Sequence, residues 1–452
     1  MPPQLALLLC TAFVFSLLRI ERKATPEVSP ALWISTVWML AISSKPLGDW
    51  FQSVATDAGS GSEPDQLFFG GLLCLGLVVL AQRSRGWSHT IQEHPWLMLL
   101  ICYMLMSVLW SDVPFTSFKR WIRELQAVVM AFLVLSERDP RQALISVLRR
   151  MAYILIPFSL LLIKYYPEYG VQYARWSGMQ MWIGVTLQKN GLGRLCTISA
   201  FFLIWALVRR WKGRDHPVGK YLTYADVLIL IMALWLLKGP PDAYSATGIA
   251  ALAVGLSTLA TLLWMQKHQV FPQVNILRAT IVLIISLGII TVFVGGSTLS
   301  SFASTLGRDE TLTGRTEIWA DLLPVMMQKP LIGAGFGGFW TPVTRQMYGQ
   351  SEAHSGYLDV LLDQGFVGMA FLTMFLLSCC RKAHRALVDD YDWGSLWICF
   401  LLMALVHNIT ETSLNSFASN LTAVLLFLAL CSTATTSHSL IVSREVEHLP
   451  TG

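Results

Sequence analysis

Residues 276–296 read ILRATIVLIISLGIITVFVGG, with one charge, Arg278, near the start of the run. A helix needs roughly 20 apolar residues to cross a hydrocarbon core of about 30 Å. Lipid offers no partner to a free backbone N–H or C=O, so such a run must satisfy its own peptide groups as a helix or within a closed barrel. Its length fits a helix. Comparable runs recur near residues 4–20, 66–82, 95–110, 124–136, 143–164, 192–209, 222–237, 246–265, 364–380, 393–410 and 418–436. A shorter one, ALWISTVWMLAIS from Ala31 to Ser43, reads either as a tilted crossing or as an interfacial helix. Composition agrees: 54% of the 452 residues are apolar and 13% are charged, with a mean hydropathy of +0.54. Soluble domains carry about 25% charged residues. The expected fold is all-α, a single polytopic membrane unit over residues 1–452 with twelve or thirteen transmembrane helices.

Lysine and arginine orient these runs. Arg19, Arg22 and Lys23 follow the first; Arg83 and Arg85, Arg138 and Arg141, then Arg209, Arg210, Lys212 and Arg214, and finally Arg381, Lys382 and Arg385 occupy every second connection thereafter. This alternation is the positive-inside pattern. It places the N-terminus outward and the C-terminus inward; if Ala31–Ser43 does not cross, only the first helix flips. The formal charge of +5 then reflects topology and does not suggest a nucleic-acid partner. Met1 is followed by Pro2 and Pro3, with no basic segment and no small-residue cleavage site, so the first run is expected to be retained. All eight cysteines fall within apolar runs, where a thiol behaves as a small hydrophobe, and neither a disulfide framework nor a zinc spacing is present.

The longest outward segment, residues 296–363, is where function is expected, because a loop of that length in a compact protein more often works than merely connects. Within it, Thr316–Gln328 carries Trp319, Leu322, Leu323, Met326 and Met327 near helical spacing. That is an amphipathic helix suited to the membrane surface or to covering a cavity. Tyr357 to Leu362 forms a second short helix leading into the next span, which puts His354 at a helix start near the outer surface. The carboxylates of the segment, among them Glu317, Asp321, Glu352 and Asp359, form no compact cluster in the sequence that would suggest an oxygen cage for a metal.

Two motifs fail on context. Gly333, Gly335 and Gly338 in GAGFGG match G-x-G-x-x-G, but the dinucleotide fingerprint needs a preceding strand and a βαβ unit. Asp390-Tyr391-Asp392 has a D-x-D form in a short basic connection and reads as a solvated loop. Outward cations are harder to set aside, since the positive-inside bias acts against them. Lys119, Arg120 and Arg123, then Arg175, Lys189 and Arg194, then Arg308 and Arg315, supply cations from three separate outward segments. Together they read as a pocket for phosphates, which the guanidinium fork binds in bidentate fashion.

With these residues in view the chain resembles the family of O-antigen ligases and O-antigen or exopolysaccharide polymerases. The resemblance rests on GRTEIW at Gly314–Trp319, PLIGAGFGGFW at Pro330–Trp340, AHSGYLD at Ala353–Asp359, and on Gly365 and Gly368. SDVPFTSFKRW at Ser111–Trp121 and QKNGLG at Gln188–Gly193 add to it, so that it covers about residues 105–410. Ser245-Ala246-Thr247-Gly248 departs from the Ser-Arg-Gly-like turn common in related proteins.

The resemblance implies a GT-C-like enzyme of the bacterial inner membrane, with residues 296–363 as a periplasmic catalytic loop. It implies inverting transfer of a glycan from an undecaprenyl pyrophosphate carrier to a sugar hydroxyl, without a metal or other cofactor. The acceptor is another glycan repeat for a polymerase or lipid A core for a ligase, and other polysaccharide export proteins are further partners. His354 is the one histidine of nine in the large outward segment. Imidazole is suited to take a hydroxyl proton at neutral pH. His354 and Arg315 are therefore assigned to catalysis, with Lys119, Arg120, Arg123, Arg175, Lys189, Asn190, Arg194, Arg308 and Tyr357 at the substrate. His407 is a weaker candidate. The TLTGRTEIW and SDVPFTSFKR forms look more like polymerases than ligases. A lipid-linked glycan transporter is a third reading, for which ionisable residues near the membrane midplane are sparse; Asp226 and Arg194 sit near helix ends.

Overall fold

Proline begins many of the helices. Its fixed φ and missing N–H cost nothing in a first turn, where the amides have no helical acceptor. Seven helices of the computed structural model carry proline there among the described residues. The structure describes residues 1–51, 61–83, 87–173, 178–213, 219–241, 243–294 and 310–431. In chain order the helices are α1 (Pro3–Ala24), α2 (Leu32–Ile42), α3 (Leu47–Trp50), α4 (Glu63–Gln82), α5 (Trp87–Gln92), α6 (Pro95–Ser107), α7 (Pro114–Leu135), α8 (Pro140–Tyr165) and α9 (Pro167–Gly170). After a short antiparallel ribbon, β1 (Val171–Tyr173) with β2 (Gln180–Trp182), come α10 (Lys189–Trp211), α11 (Lys220–Lys238), α12 (Ala246–Lys267) and α13 (Val274–Val294). The last are α14 (Glu310–Met326), α15 (Pro342–Tyr348), α16 (Gly356–Asp389), α17 (Tyr391–Thr410) and α18 (Asn420–Cys431).

Every apolar run read from the sequence forms helix among its described residues. Nine described helices are long and apolar enough to cross a membrane, and α2, α6 and α18 are shorter apolar ones. The chain is an all-α, multi-pass membrane protein. Its centre is α8 and α17, with 83% of their most apolar stretches buried, against 17% for α1 and α4. The outer faces of α1, α4 and α13 carry Leu8, Phe15, Leu67 and Leu283, each more than 60% exposed. Apolar surface of that kind is what lipid tails cover.

The connections meet at two ends. At one, Arg83 pairs with Glu137 at 2.8 Å, Arg141 with Asp390 at 3.0 Å and Lys212 with Asp392 at 3.0 Å. These are the basic connections of the sequence. At the other, the Lys45 amide donates to the Val185 carbonyl at 2.8 Å and Arg194 to the Thr412 carbonyl at 3.0 Å. The short segment at Ala31–Ser43 joins the two. Ser29 before it donates to Glu137 at 2.9 Å, and Lys45 after it reaches Val185. At about 1.5 Å per residue α2 is shorter than a hydrocarbon core. It can be, because Leu32, Trp38 and Met39 are buried by protein and need not match the lipid.

Two expectations are corrected at the basic end. Asp390 and Asp392 are not a solvated loop: Asp390 accepts from the Trp393 amide at 3.1 Å to start α17, and Asp392 is 4% exposed beside Lys212. Buried charge is also richer than expected. Asp226 takes Arg149 at 3.2 Å, Arg210 at 2.9 Å and the Tyr153 hydroxyl at 2.5 Å, while Glu21 pairs with Arg150 at 2.9 Å. A carboxylate held among apolar helices needs such partners.

The second short helix and its span meet within α16 at a kink, Gly365, whose φ of 64° and ψ of −167° are not helical. A Cβ there would lie 2.4 Å from the Leu331 carbonyl carbon. We expect Gly365→Ala to lower stability by about 1–3 kcal/mol for the backbone strain alone, read as a reduced Tm of the protein in detergent; an unchanged Tm would show that the bend tolerates a side chain.

Candidate functional site

At the end opposite the basic connections, the backbone on both sides of His354 is pinned. The Trp319 indole of α14 donates to the Ala353 carbonyl at 2.8 Å, the Ala353 amide to the Asp359 carboxylate at 3.1 Å, and the Gly356 amide to the Glu411 carbonyl at 3.0 Å. Asp359 is fully buried and also accepts from the Trp340 indole at 2.7 Å and the Thr412 hydroxyl at 2.5 Å. Held between these anchors, His354 adopts φ 51°. For a residue with a Cβ that left-handed conformation costs about 1–3 kcal/mol, and such strain collects at working sites. The helix cap is Ser355, whose Oγ accepts from the Leu358 amide at 3.4 Å. His354 is therefore not spent on capping α16.

Glu411, just past the end of α17, gathers the polar groups. Its Oε1 accepts from Arg315 and, at 2.5 Å, from Asn190, and its Oε2 lies 3.9 Å from His354 Nδ1. The same Nδ1 lies 3.4 Å from Glu352 Oε1, which accepts from Gln188 at 3.1 Å. Arg194, one turn beyond Asn190 on α10, holds the Thr412 carbonyl. Burial by itself would lower the basicity of His354, but contact with Glu411 and the charges of Glu352 and Glu411 outweigh it, so its pKa is raised above 6.5. Burial pushes the Glu411 carboxyl upward, while His354 and Arg315 more than offset this and hold it below its ordinary range.

Glu352, His354 and Glu411 also present ligand atoms within 4.8 Å of one another, a spacing that would suit a cation. The expectation of no such cluster concerned the carboxylates of the long loop, of which only Glu352 takes part; Glu411 arrives from a segment outside that loop. Arg315 already supplies positive charge to Glu411. Beside the cluster lies a cavity of about 260 Å³, lined by Arg123, Arg194, Gln126, Gln188, Asp65 and Asn420. Arg123 stands 5.6 Å from the Phe69 ring centroid. Gln188 faces the cavity and also bonds Glu352, so the two features adjoin.

Of the residues singled out by sequence, His354, Arg315 and Asn190 meet on Glu411, and Arg123 and Arg194 line the cavity. Lys189 is half-buried at the start of α10, and Lys119 lies 4.5 Å from the Phe115 ring centroid. Arg120 and Tyr357 go elsewhere. Arg120 donates to the Gly337 carbonyl and, at 3.4 Å, to that of Trp340, so it holds the glycine-rich loop instead of facing the cavity. Tyr357 is 1% exposed, donates to the Leu405 carbonyl at 2.8 Å and packs where Gly288 has no side chain. Arg175 and Arg308 lie outside the described residues. His407 is 2% exposed, one turn before Glu411 on α17. In α14, Trp319, Leu322 and Met326 are buried as the amphipathic pattern requires, but Met327 is 57% exposed.

Sequence reasoning missed Glu411 and Asp359 as working groups. Glu411 carried one signal: a carboxylate just past a helix C-terminus opposes the helix dipole and needs a compensating partner. Asp359 closes the AHSGYLD motif, but nothing local named its partners, because its donors come from three separate segments.

Comparison with known proteins agrees with the resemblance. A family model described as O-antigen ligase matches residues 231–373. The exopolysaccharide production protein ExoQ of Rhizobium meliloti (strain 1021) is 21% identical over 318 residues, covering 67% of this chain and 68% of that protein.

The raised pKa of His354 has a definite sign. Protonated His354 stabilises the fold fully below its unfolded pKa near 6.5, and that contribution is lost as pH rises through the higher folded value. We expect NMR titration of labelled histidine to place His354 above 6.5, and Glu411→Gln to move it down. A His354 titration unmoved by Glu411→Gln would mean that the two do not interact in solution.

Proposed function

We propose that the chain is a polymerase that joins lipid-linked glycan repeats into a surface polysaccharide, a reading supported by the O-antigen ligase model that matches residues 231–373 and by the similarity to ExoQ. The observation that carries this proposal is the meeting of His354 and Arg315 on Glu411 beside a cavity lined by Arg123 and Arg194. The donor is a glycan on undecaprenyl pyrophosphate and the acceptor a hydroxyl of a second repeat. Residues 296–363 supply the catalytic loop within the single polytopic unit. The site faces the periplasm from the bacterial inner membrane, in keeping with the basic connections gathered at the opposite end.

With Nδ1 directed at the carboxylates, His354 presents Nε2 as the base. The acceptor oxygen attacks the anomeric carbon from the face opposite the carrier and its proton passes to Nε2. The bond from that carbon to the pyrophosphate oxygen breaks, and undecaprenyl pyrophosphate leaves with the electron pair, inverting the anomeric configuration. Glu411 orients the imidazole and keeps it basic. Arg315, Arg123 and Arg194 neutralise the charge that develops on the leaving phosphate, the electrostatic task such a reaction chiefly requires. Lys119 and Lys189 add to the cationic surround, and Asn190 fixes Glu411. No metal is needed, because Arg315 supplies the positive charge within the Glu352–His354–Glu411 cluster.

Polymerase is favoured over ligase by the form of the TLTGRTEIW segment and by the relative's name as an exopolysaccharide production protein. A transporter is disfavoured because the buried carboxylates Asp226 and Glu21 are each held by arginine.

Purified protein in liposomes, supplied with lipid-linked single repeats, tests this directly. We expect chains of repeats on the lipid carrier. Repeats that stay single until lipid A core is added would make it a ligase, and movement of substrate without a new glycosidic bond would make it a transporter. In the same assay His354→Ala should lower turnover by about 10²–10⁴, the usual contribution of a general base. His354→Gln, which keeps a hydrogen bond but takes no proton, should match it in rate; wild-type turnover in His354→Gln would remove the base. Activity should also survive EDTA, and loss that magnesium or manganese restores would assign the cluster to a metal instead.

A further inference from the structure

The donor proposed above has two parts, and the cavity with Arg123 and Arg194 accounts only for the charged one. On the other side of Ser44, which lines that cavity too, an apolar groove of about 470 Å³ runs between α1 and α8. Leu7, Leu155, Phe158 and Leu162 line it, together with Trp50 and Tyr169. Leu7 is 42% exposed on the lipid-facing side of α1, so the groove opens sideways to the bilayer. Lys45, next to Ser44 in the chain, packs against residues that line the groove. Its Nζ donates to the Tyr169 carbonyl at 2.5 Å and lies 5.4 Å from the Trp50 ring centroid, while its amide holds Val185.

We propose that this groove takes the phosphate-proximal part of the donor's prenyl chain, with Lys45 where chain meets pyrophosphate; this rests on the lipid-linked donor proposed above. The chemistry on the two sides of Ser44 is that of one molecule, a long apolar chain ending in a compact anion. A bulk phospholipid fits less well. Its headgroup lies at the membrane surface, whereas here the apolar walls continue into an arginine-lined cavity. The groove also lies along the outward half of α8, the half a donor in the outer leaflet would reach.

The probes are undecaprenyl pyrophosphate and inorganic pyrophosphate, bound to the full chain in detergent. Wild type should bind the prenyl form much more tightly. Phe158→Trp and Leu162→Trp, which fill the groove, should weaken undecaprenyl pyrophosphate at least about tenfold, the order expected when a few buried methylenes are displaced, and leave inorganic pyrophosphate within about twofold. Variants with wild-type Tm that bind undecaprenyl pyrophosphate as well as wild type would overturn the groove while leaving the donor class intact. Failure of the wild type itself to prefer undecaprenyl pyrophosphate would overturn the donor class. Should the variants not fold, wild type labelled with a photoreactive undecaprenyl pyrophosphate in phosphatidylglycerol vesicles decides: crosslinks at Leu7 and residues 155–162 support the groove, and crosslinks elsewhere, or ones that excess phosphatidylglycerol removes, overturn it.

Discussion

The site depends on one buried carboxylate. Asp359 takes hydrogen bonds from the Trp340 indole, the Ala353 amide and the Thr412 hydroxyl, and so joins the glycine-rich loop, the turn that carries His354 and the turn after α17. A carboxylate removed from water must be satisfied by donors, and leaving any of them out would cost more than the bond itself is worth. That requirement locks three segments into one register. The left-handed backbone at His354 is affordable only because its neighbours are held from both sides.

Upon this frame, Glu411 balances opposite demands. It must be ionised to orient the imidazole and raise its basicity, yet it is buried, and burial favours the neutral acid. Arg315 and Asn190 resolve this by donating to the same oxygen, leaving the other toward His354. The arginine thereby serves twice, once for the carboxylate in the resting protein and once for the phosphate in the proposed reaction. Glycine plays the matching steric part. At Gly333 and Gly335 positive φ and close approach to Asp363 and Ser107 let the loop lie flat on its neighbours, which gives the glycines of the G-x-G-x-x-G string a packing role.

Most of the architecture was legible along the chain. Apolar runs became helices because lipid leaves no other way to satisfy their peptide groups, and the alternation of basic connections became two ends of a bundle because each span reverses direction. Even the short run at Ala31–Ser43 kept its apolar character, though only its contacts at Ser29 and Lys45 showed that it joins the two ends of the bundle. Misreadings concern side chains whose partners are remote in sequence. Arg120 looked like one more outward cation and is bound to the Gly337 and Trp340 carbonyls. Tyr357 lies three residues from the histidine but points into the helix packing, since His354 stands before α16 in a left-handed turn while Tyr357 belongs to the first turn of the helix.

What the sequence by itself determined is the membrane class, the helices, and the presence of His354 and Arg315 in the long segment away from the basic connections. These follow from local properties: run length, charge alternation and residue type. Tertiary structure alone decided that Glu411 would be their common partner, that Arg123 and Arg194 would line a cavity while Arg120 would not, and that an apolar groove would adjoin that cavity. The reason is physical. A hydrogen bond or ion pair acts over about 3 Å, and which groups come that close depends on how helices far apart in the chain are packed, a choice that no local pattern encodes.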